Sequence, residues 1–149
     1  MVDVVDHKTR SRMMSNIRAA NTKPELVARR SLHARGYRYR LHANGFPGKP
    51  DLVLPKYRTV IFVHGCFWHR HECRLFKWPS TREAFWRDKL TKNAARDMRN
   101  IDALRAAGWR VLVIWECALK GADSARLKAV IDKAERFIVS SSEFLELAS

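Results

Sequence analysis

Apolar positions along the chain follow two different periods. Thr22-Lys23-Pro24-Glu25 reads as a capping box opening a helix, with Leu26, Val27 and Leu32 turned inward and Gly36 ending it. Tyr37 to Leu41 alternates and reads as a strand. The glycine- and proline-bearing stretch from Asn44 to Pro50 is a loop. Asp51 to Leu54 and Arg58 to Val63 read as a hairpin turning at Lys56-Tyr57. Residues 64–80 have no period. Thr81 is placed to cap a long helix ending near Ala107 and Gly108, with Leu90, Ala94, Met98, Ile101 and Leu104 as its inner stripe. Trp109 to Trp115 reads as a buried strand. Residues 124–138 form a last amphipathic helix with Leu127, Val130, Ile131, Ala134 and Ile138 inward. The order α-β-β-β-α-β-α predicts a three-layer α/β (α+β) domain with a mixed central sheet.

Length and charge sharpen this picture. A chain of 149 residues is one domain, able to bury roughly 68–70% of its unfolded surface. With 46% hydrophobic residues a packed core is expected and wholesale disorder is excluded. The longest apolar run, Val111 to Trp115, is too short to cross a membrane, and the N-terminus lacks a secretory leader pattern. The net charge is +14. Residues 1–115 carry +15 of it and residues 116–149 carry −1. That asymmetry points to a polyanion, most simply nucleic acid, and no free basic amphipathic helix favours a membrane surface. Residues 1–21 read as a basic arm, 22–138 as the folded domain, and 139–149 as a C-terminal tail. In the arm, Lys8, Arg10, Arg12 and Arg18 are placed to track phosphates, and Met13 or Met14 to wedge into a duplex.

Candidate chemistry concentrates between residues 51 and 73. Asp51 stands at a strand end, where a carboxylate can hold a divalent cation against a phosphate or simply tidy a turn. Cys66, His71 and Cys73 lie within eight positions, and Cys117 follows the Trp109–Trp115 strand. One imidazole and three thiols make a closed tetrahedral zinc set. Three cysteines cannot all pair, so ligands or core thiols are expected before disulfides. His64 and His69 remain as bases for a water at neutral pH, and spacing does not choose between them. Phe67 and Trp68 sit in a polar loop; Trp86, Lys89, Asn93 and Asp97 share a helical face suited to stacking on bases and reading their edges. Packing around the loop is the competing reading of the aromatics.

The blocks Pro50-Asp51-Leu52-Val53, Val60 to Cys73 (containing His-Gly-Cys-Phe-Trp-His-Arg-His-Glu-Cys), Phe85 to Lys89, Gly108 to Val111 and Trp115-Glu116-Cys117 closely resemble the very short patch repair endonucleases of bacteria, the Vsr-type mismatch endonucleases. The likeness runs from the Asp6–Ile17 arm to about Leu119. It implies a restriction-endonuclease-like fold and nicking of one strand of double-stranded DNA beside the T of a T:G mismatch left by 5-methylcytosine deamination. It implies Mg²⁺ at Asp51 with the Val63 carbonyl, His69 as general base, and His64 as an aid at the scissile phosphate. Glu25 would support a metal-bound water and Asp97 would orient a histidine. Cys66, His71, Cys73 and Cys117 would hold structural Zn²⁺. Phe67, Trp68 and Trp86 would enter the duplex from one side and Met14 from the other, with Lys89 and Asn93 at the mismatch. A monomer in the bacterial cytoplasm, at the nucleoid, is expected, with other repair proteins as partners. Related nucleases place an acid and a lysine on the second strand; here the chain reads Phe62-Val63-His64, consistent with a histidine-based reaction. The alternative from residues alone is a zinc-stabilised nucleic-acid-binding module without catalysis.

Overall fold

A computed structural model describes residues 21–149. Its elements are α1 (Lys23–Ala34), β1 (Arg40–Leu41), β2 (Leu52–Leu54), a 3₁₀ turn (Pro55–Tyr57), β3 (Thr59–His64), α2 (Glu83–Ala106), β4 (Arg110–Trp115), α3 (Glu116–Leu119), α4 (Ser124–Val139) and β5 (Phe144–Leu147). The five strands form one sheet in the order β1-β2-β3-β4-β5. β1–β2 and β2–β3 are antiparallel, with Leu52 opposite Ile61. β3–β4 and β4–β5 are parallel, with Val63 opposite Ile114 and Val111 opposite Phe144. Parallel neighbours need long crossovers, and α2 and α4 supply them.

All six residues of β3 are buried, as expected of a strand covered on both faces. On one face Leu52, Ile61, Leu112 and Ile114 pack under Leu32 of α1 and Ile131 and Ile138 of α4. On the other, Val60, Phe62, Val111 and Val113 meet Ile101 and Leu104 of α2. The mixed sheet and its α+β layering follow the expectation from sequence.

Several boundaries differ. The strand expected over Tyr37–Leu41 shrinks to Arg40–Leu41. Tyr37 instead packs inward, its hydroxyl donating to Glu135 of α4 at 2.8 Å. Thr81 does not cap α2. The helix starts after Arg82, held at φ +52 with its guanidinium over the Phe85 ring, so an aromatic contact rather than a hydroxyl fixes the entry. Met98 is not on the inner stripe and is 58% exposed; Leu90, Ile101 and Leu104 carry the burial and Ala94 is half-buried. Residues 139–149 are not simply a tail, because β5 completes the sheet edge and buries Leu147. Its short Phe-Leu-Glu-Leu run has too little pattern to announce a strand without β4 beside it.

Gly108 does end α2, at φ +88, where a side chain would also meet the Arg58 guanidinium. Arg110 pins three segments together. Its guanidinium donates to the Phe137 and Ile138 carbonyls at the end of α4, to the Ser142 carbonyl, and to Thr59 Oγ1. It also stacks over the Phe137 ring. Arg110→Ala removes a shared donor from these acceptors, of which the Phe137 carbonyl keeps Ser140, and is expected to cost about 3 kcal/mol. Thermal unfolding should read a Tm lower by roughly 6–12 °C. An unchanged Tm contradicts the pin.

Candidate active site and metal centres

Three clusters gather around the C-terminal end of β3. The first lies on the α1 side. The Thr22 hydroxyl accepts from the Glu25 N–H, as the capping box requires, but the Glu25 carboxylate reaches back one residue further, to the Asn21 N–H at 3.0 Å. Glu25 is fully buried and also takes Arg29 at 2.9 Å and His42 Nε2 at 2.9–3.0 Å. The buried Asp51 carboxylate accepts the Val63 N–H at 2.7 Å. Carboxylate oxygens of Glu25 and Asp51 and a His42 ring nitrogen all lie within 4.8 Å of one another. Burial, then the neighbouring Glu25 charge, pushes the Asp51 carboxyl up to about 8. Among the described residues no Lys or Arg pairs with Asp51. Two buried carboxylates, one without a cation, are the hard oxygen donors a divalent ion takes. At Val63 the contact seen is its N–H, which orients Asp51.

The second cluster lies on the α2 side, one residue along. His64 and His69 stack, ring centroids 3.8 Å apart and planes 6° off parallel. His69 Nδ1 meets the Asp97 carboxylate at 2.5 Å. An ionised carboxylate only accepts, so Nδ1 carries the proton and the Nε2 lone pair is left for another partner. His64 is buried, and its Nδ1 has no hydrogen-bond partner among the described residues. Burial, with His69 alongside, lowers its pKa well below the ordinary imidazole value, so His64 stays neutral.

The third cluster brings Cys66, His71, Cys73 and Cys117 together, donor atoms within 4.8 Å of one another. Cys117 Sγ is 3.6 Å from His71 Nδ1. A tetrahedron with metal–sulfur distances of about 2.3 Å and metal–nitrogen distances of about 2.0 Å has donor edges of roughly 3.5–3.8 Å, so the set has the size of a closed metal site. Burial raises the Cys66 thiol. Burial works the same way on Cys117, but hydrogen bonds from Ser149 and the other two thiols outweigh it, and that thiol falls below its ordinary value. The Ser149 N–H approaches Cys117 Sγ at 3.4 Å, and the Leu75 N–H approaches Cys73 Sγ at 3.4 Å.

The aromatics adjoin these clusters. Phe67 contacts Trp68 and Trp86, and Trp68 contacts Trp86, all edge-on and all half-buried. Asn93 donates to the Trp68 carbonyl at 3.1 Å, so one of its amide hydrogens steadies the loop. Lys89 is exposed. Met14 and the rest of the arm lie outside the described residues.

Four further residues organise the site through contacts that spacing does not signal. Trp115 stacks on His71 at 4.2 Å and stands edge-on to His64 at 5.3 Å, linking the cysteine cluster to the histidine pair. Glu116 accepts the Cys66 N–H, and Arg74 donates to the Cys117 and Lys120 carbonyls at the end of α3. His42 clasps Glu25. Each acts across a long sequence separation, so no local pattern exposes it.

The chain is similar to several known proteins. The family described as DNA mismatch endonuclease Vsr matches residues 2–75. A type II nicking enzyme, V.XorIIP of Xanthomonas oryzae pv. oryzae, is 47% identical over 134 residues, covering 89% of this chain and 98% of that enzyme. The DNA mismatch endonuclease Vsr of Escherichia coli K12 is 45% identical over 138 residues, covering 93% of this chain and 88% of its own length. V.NmeAIP of Neisseria meningitidis, another type II nicking enzyme, is 44% identical over 120 residues.

Proposed function

We propose, since this chain belongs to the DNA mismatch endonuclease Vsr family and is a DNA endonuclease, that it nicks one strand of duplex DNA beside the T of a T:G mismatch. Family membership sets aside the alternative of a binding module without catalysis. The observation that carries the reading is the meeting, at the end of β3, of a buried carboxylate and a carboxylate-oriented histidine: Asp51 on Val63, and His64 stacked on His69–Asp97.

In this reading Asp51 and the Val63 carbonyl hold Mg²⁺, which when bound supplies positive charge to the phosphate and acidity to water. Glu25 supports that site from α1. His69, with Nδ1–H fixed on Asp97, takes the proton of the attacking water at Nε2. Neutral His64 lies beside it and faces the scissile phosphate. Cys66, His71, Cys73 and Cys117 hold Zn²⁺ and so fix the loop that presents both histidines. The fold is restriction-endonuclease-like.

Recognition rests on deformation. A T:G wobble unstacks at less cost than a matched pair, so insertion of Phe67, Trp68 and Trp86 from one side and Met14 from the other favours it. Lys89 and Asn93 stand at the mismatch. The basic arm, residues 1–21, tracks the backbone, and residues 22–147 form the nuclease domain, β5 included. The substrate class is what 5-methylcytosine deamination leaves, and a monomer in the bacterial cytoplasm is sufficient to cut one strand. No helix among the described residues is long and apolar enough to cross a membrane.

The test is a labelled duplex carrying one T:G pair, incubated with the protein and Mg²⁺ across several flanking sequences. A nick confined to the T strand, absent in EDTA and on the matched T:A duplex, is expected. Equal cutting of matched and mismatched duplexes overturns the mismatch reading.

A further inference from the structure

We propose that His42 is a positioning residue of the cation site, acting through Glu25; the proposal rests on the reading of Asp51 and Glu25 as that site. His42 lies between β1 and β2, in a segment without a helical or strand pattern, and half-buried. Three donors hold the buried Glu25 carboxylate. Two of them, the Asn21 N–H and the Arg29 guanidinium, belong to α1 or to the residues just before it, the same segment as Glu25. They also bond each other, Arg29 to Asn21 Oδ1 at 2.8 Å, and so move with the helix. His42 is the donor that comes from the sheet. Its Nε2 bridges both Glu25 oxygens, at 3.0 and 2.9 Å. Its own N–H donates to the Asp51 carbonyl at 3.1 Å. One residue therefore ties the Glu25 carboxylate to the backbone that carries Asp51.

The backbone at His42 is left-handed, φ +47. That conformation is uncommon for a residue with a side chain. It is the arrangement in which the N–H turns to Asp51 and the ring turns to Glu25 together. Without the ring, Glu25 keeps the two donors local to its helix and its side-chain contact with Asp51, but loses the tie from its carboxylate to the backbone that carries Asp51. Groups that orient metal-binding side chains typically affect metal affinity by roughly 10–100-fold.

The test measures Mn²⁺ binding to the full chain without DNA, by the electron paramagnetic resonance signal of free Mn²⁺, for wild type, His42→Ala, His42→Gln and Asp51→Ala. Alanine and glutamine both carry a Cβ at this left-handed position, so the contrast between them reads the lost donor rather than the backbone. His42→Ala is expected to raise the Mn²⁺ Kd by roughly 10–100-fold. His42→Gln, which keeps an N–H donor of similar reach, is expected to stay within about threefold of wild type, a rescue that a merely structural role does not give. A wild-type Kd for His42→Ala alongside a weakened Asp51→Ala overturns the role of His42 and leaves the cation site standing. A glutamine variant as weak as the alanine one also overturns it. A wild-type Kd for Asp51→Ala removes the cation site itself, and this inference with it.

Discussion

Asp51→Asn is expected to abolish nicking and, at the same time, to stabilise the metal-free protein at neutral pH. The two effects have one cause. Asp51 is buried beside the charged Glu25, and its carboxyl is pushed up to about 8. In the unfolded chain it titrates near 3.8. Between those values the folded state holds a proton that the unfolded state gives up. This group's contribution is therefore fully present below pH 4 and is lost as pH rises towards 8. At pH 7 the loss is on the order of 2–4 kcal/mol. An asparagine cannot ionise, yet its oxygen can still accept the Val63 N–H and its amide can donate towards Glu25. In EDTA at pH 7 the variant should melt roughly 5–12 °C above wild type, with the difference closing at pH 4. Nicking should fall by roughly 10³-fold or more, because the site then lacks the charged oxygen that holds a divalent ion. Binding to a T:G duplex should persist, since the aromatic and basic contacts are elsewhere. A variant that nicks at the wild-type rate removes Asp51 from the chemistry. A variant less stable than wild type at pH 7 contradicts the strained-carboxylate account.

With the four residues holding zinc as proposed, Cys117→Ser should remove the metal and lower Tm by roughly 10–20 °C. A serine hydroxyl is a poor zinc ligand, and structural zinc contributes folding free energy directly. The loss spreads because the cluster joins distant segments: Cys66 and Cys73 flank the histidine loop, while Cys117 sits in α3 beyond β4. Trp115 carries the effect further, stacking on His71 and touching His64. The histidine pair should lose its stacking and nicking should fall with it. Metal analysis and calorimetry of the variant and wild type read both effects. Wild-type protein without zinc, or a variant with unchanged Tm, overturns this centre.

Local pattern made much of the molecule legible. The α1 cap at Thr22, the all-buried β3 and the α4 stripe are consequences of residue spacing, because helices and strands repeat at fixed periods whatever surrounds them. The dense run from His64 to Cys73 set out candidate ligands and bases by residue type alone, since few other arrangements need so many histidines and cysteines together. Its resemblance to mismatch endonucleases then supplied roles that spacing could not.

Tertiary structure decided the rest. Asp97, 28 positions away, reaches His69 rather than His64, and only the fold makes that choice. The state of Asp51 follows from burial beside Glu25, and desolvation cannot be read from a strand-end aspartate in a sequence. The contacts of His42, Arg74, Trp115 and Glu116 became visible only once the chain had folded, as did β5, whose four residues are a strand because β4 offers them a ladder. Residue type and period, both local properties, were enough to set the long helices, the central strands and the inventory of reactive groups. Protonation, orientation and pairing were decided by the fold, because each depends on which groups it brings within a few ångströms across a long span of chain.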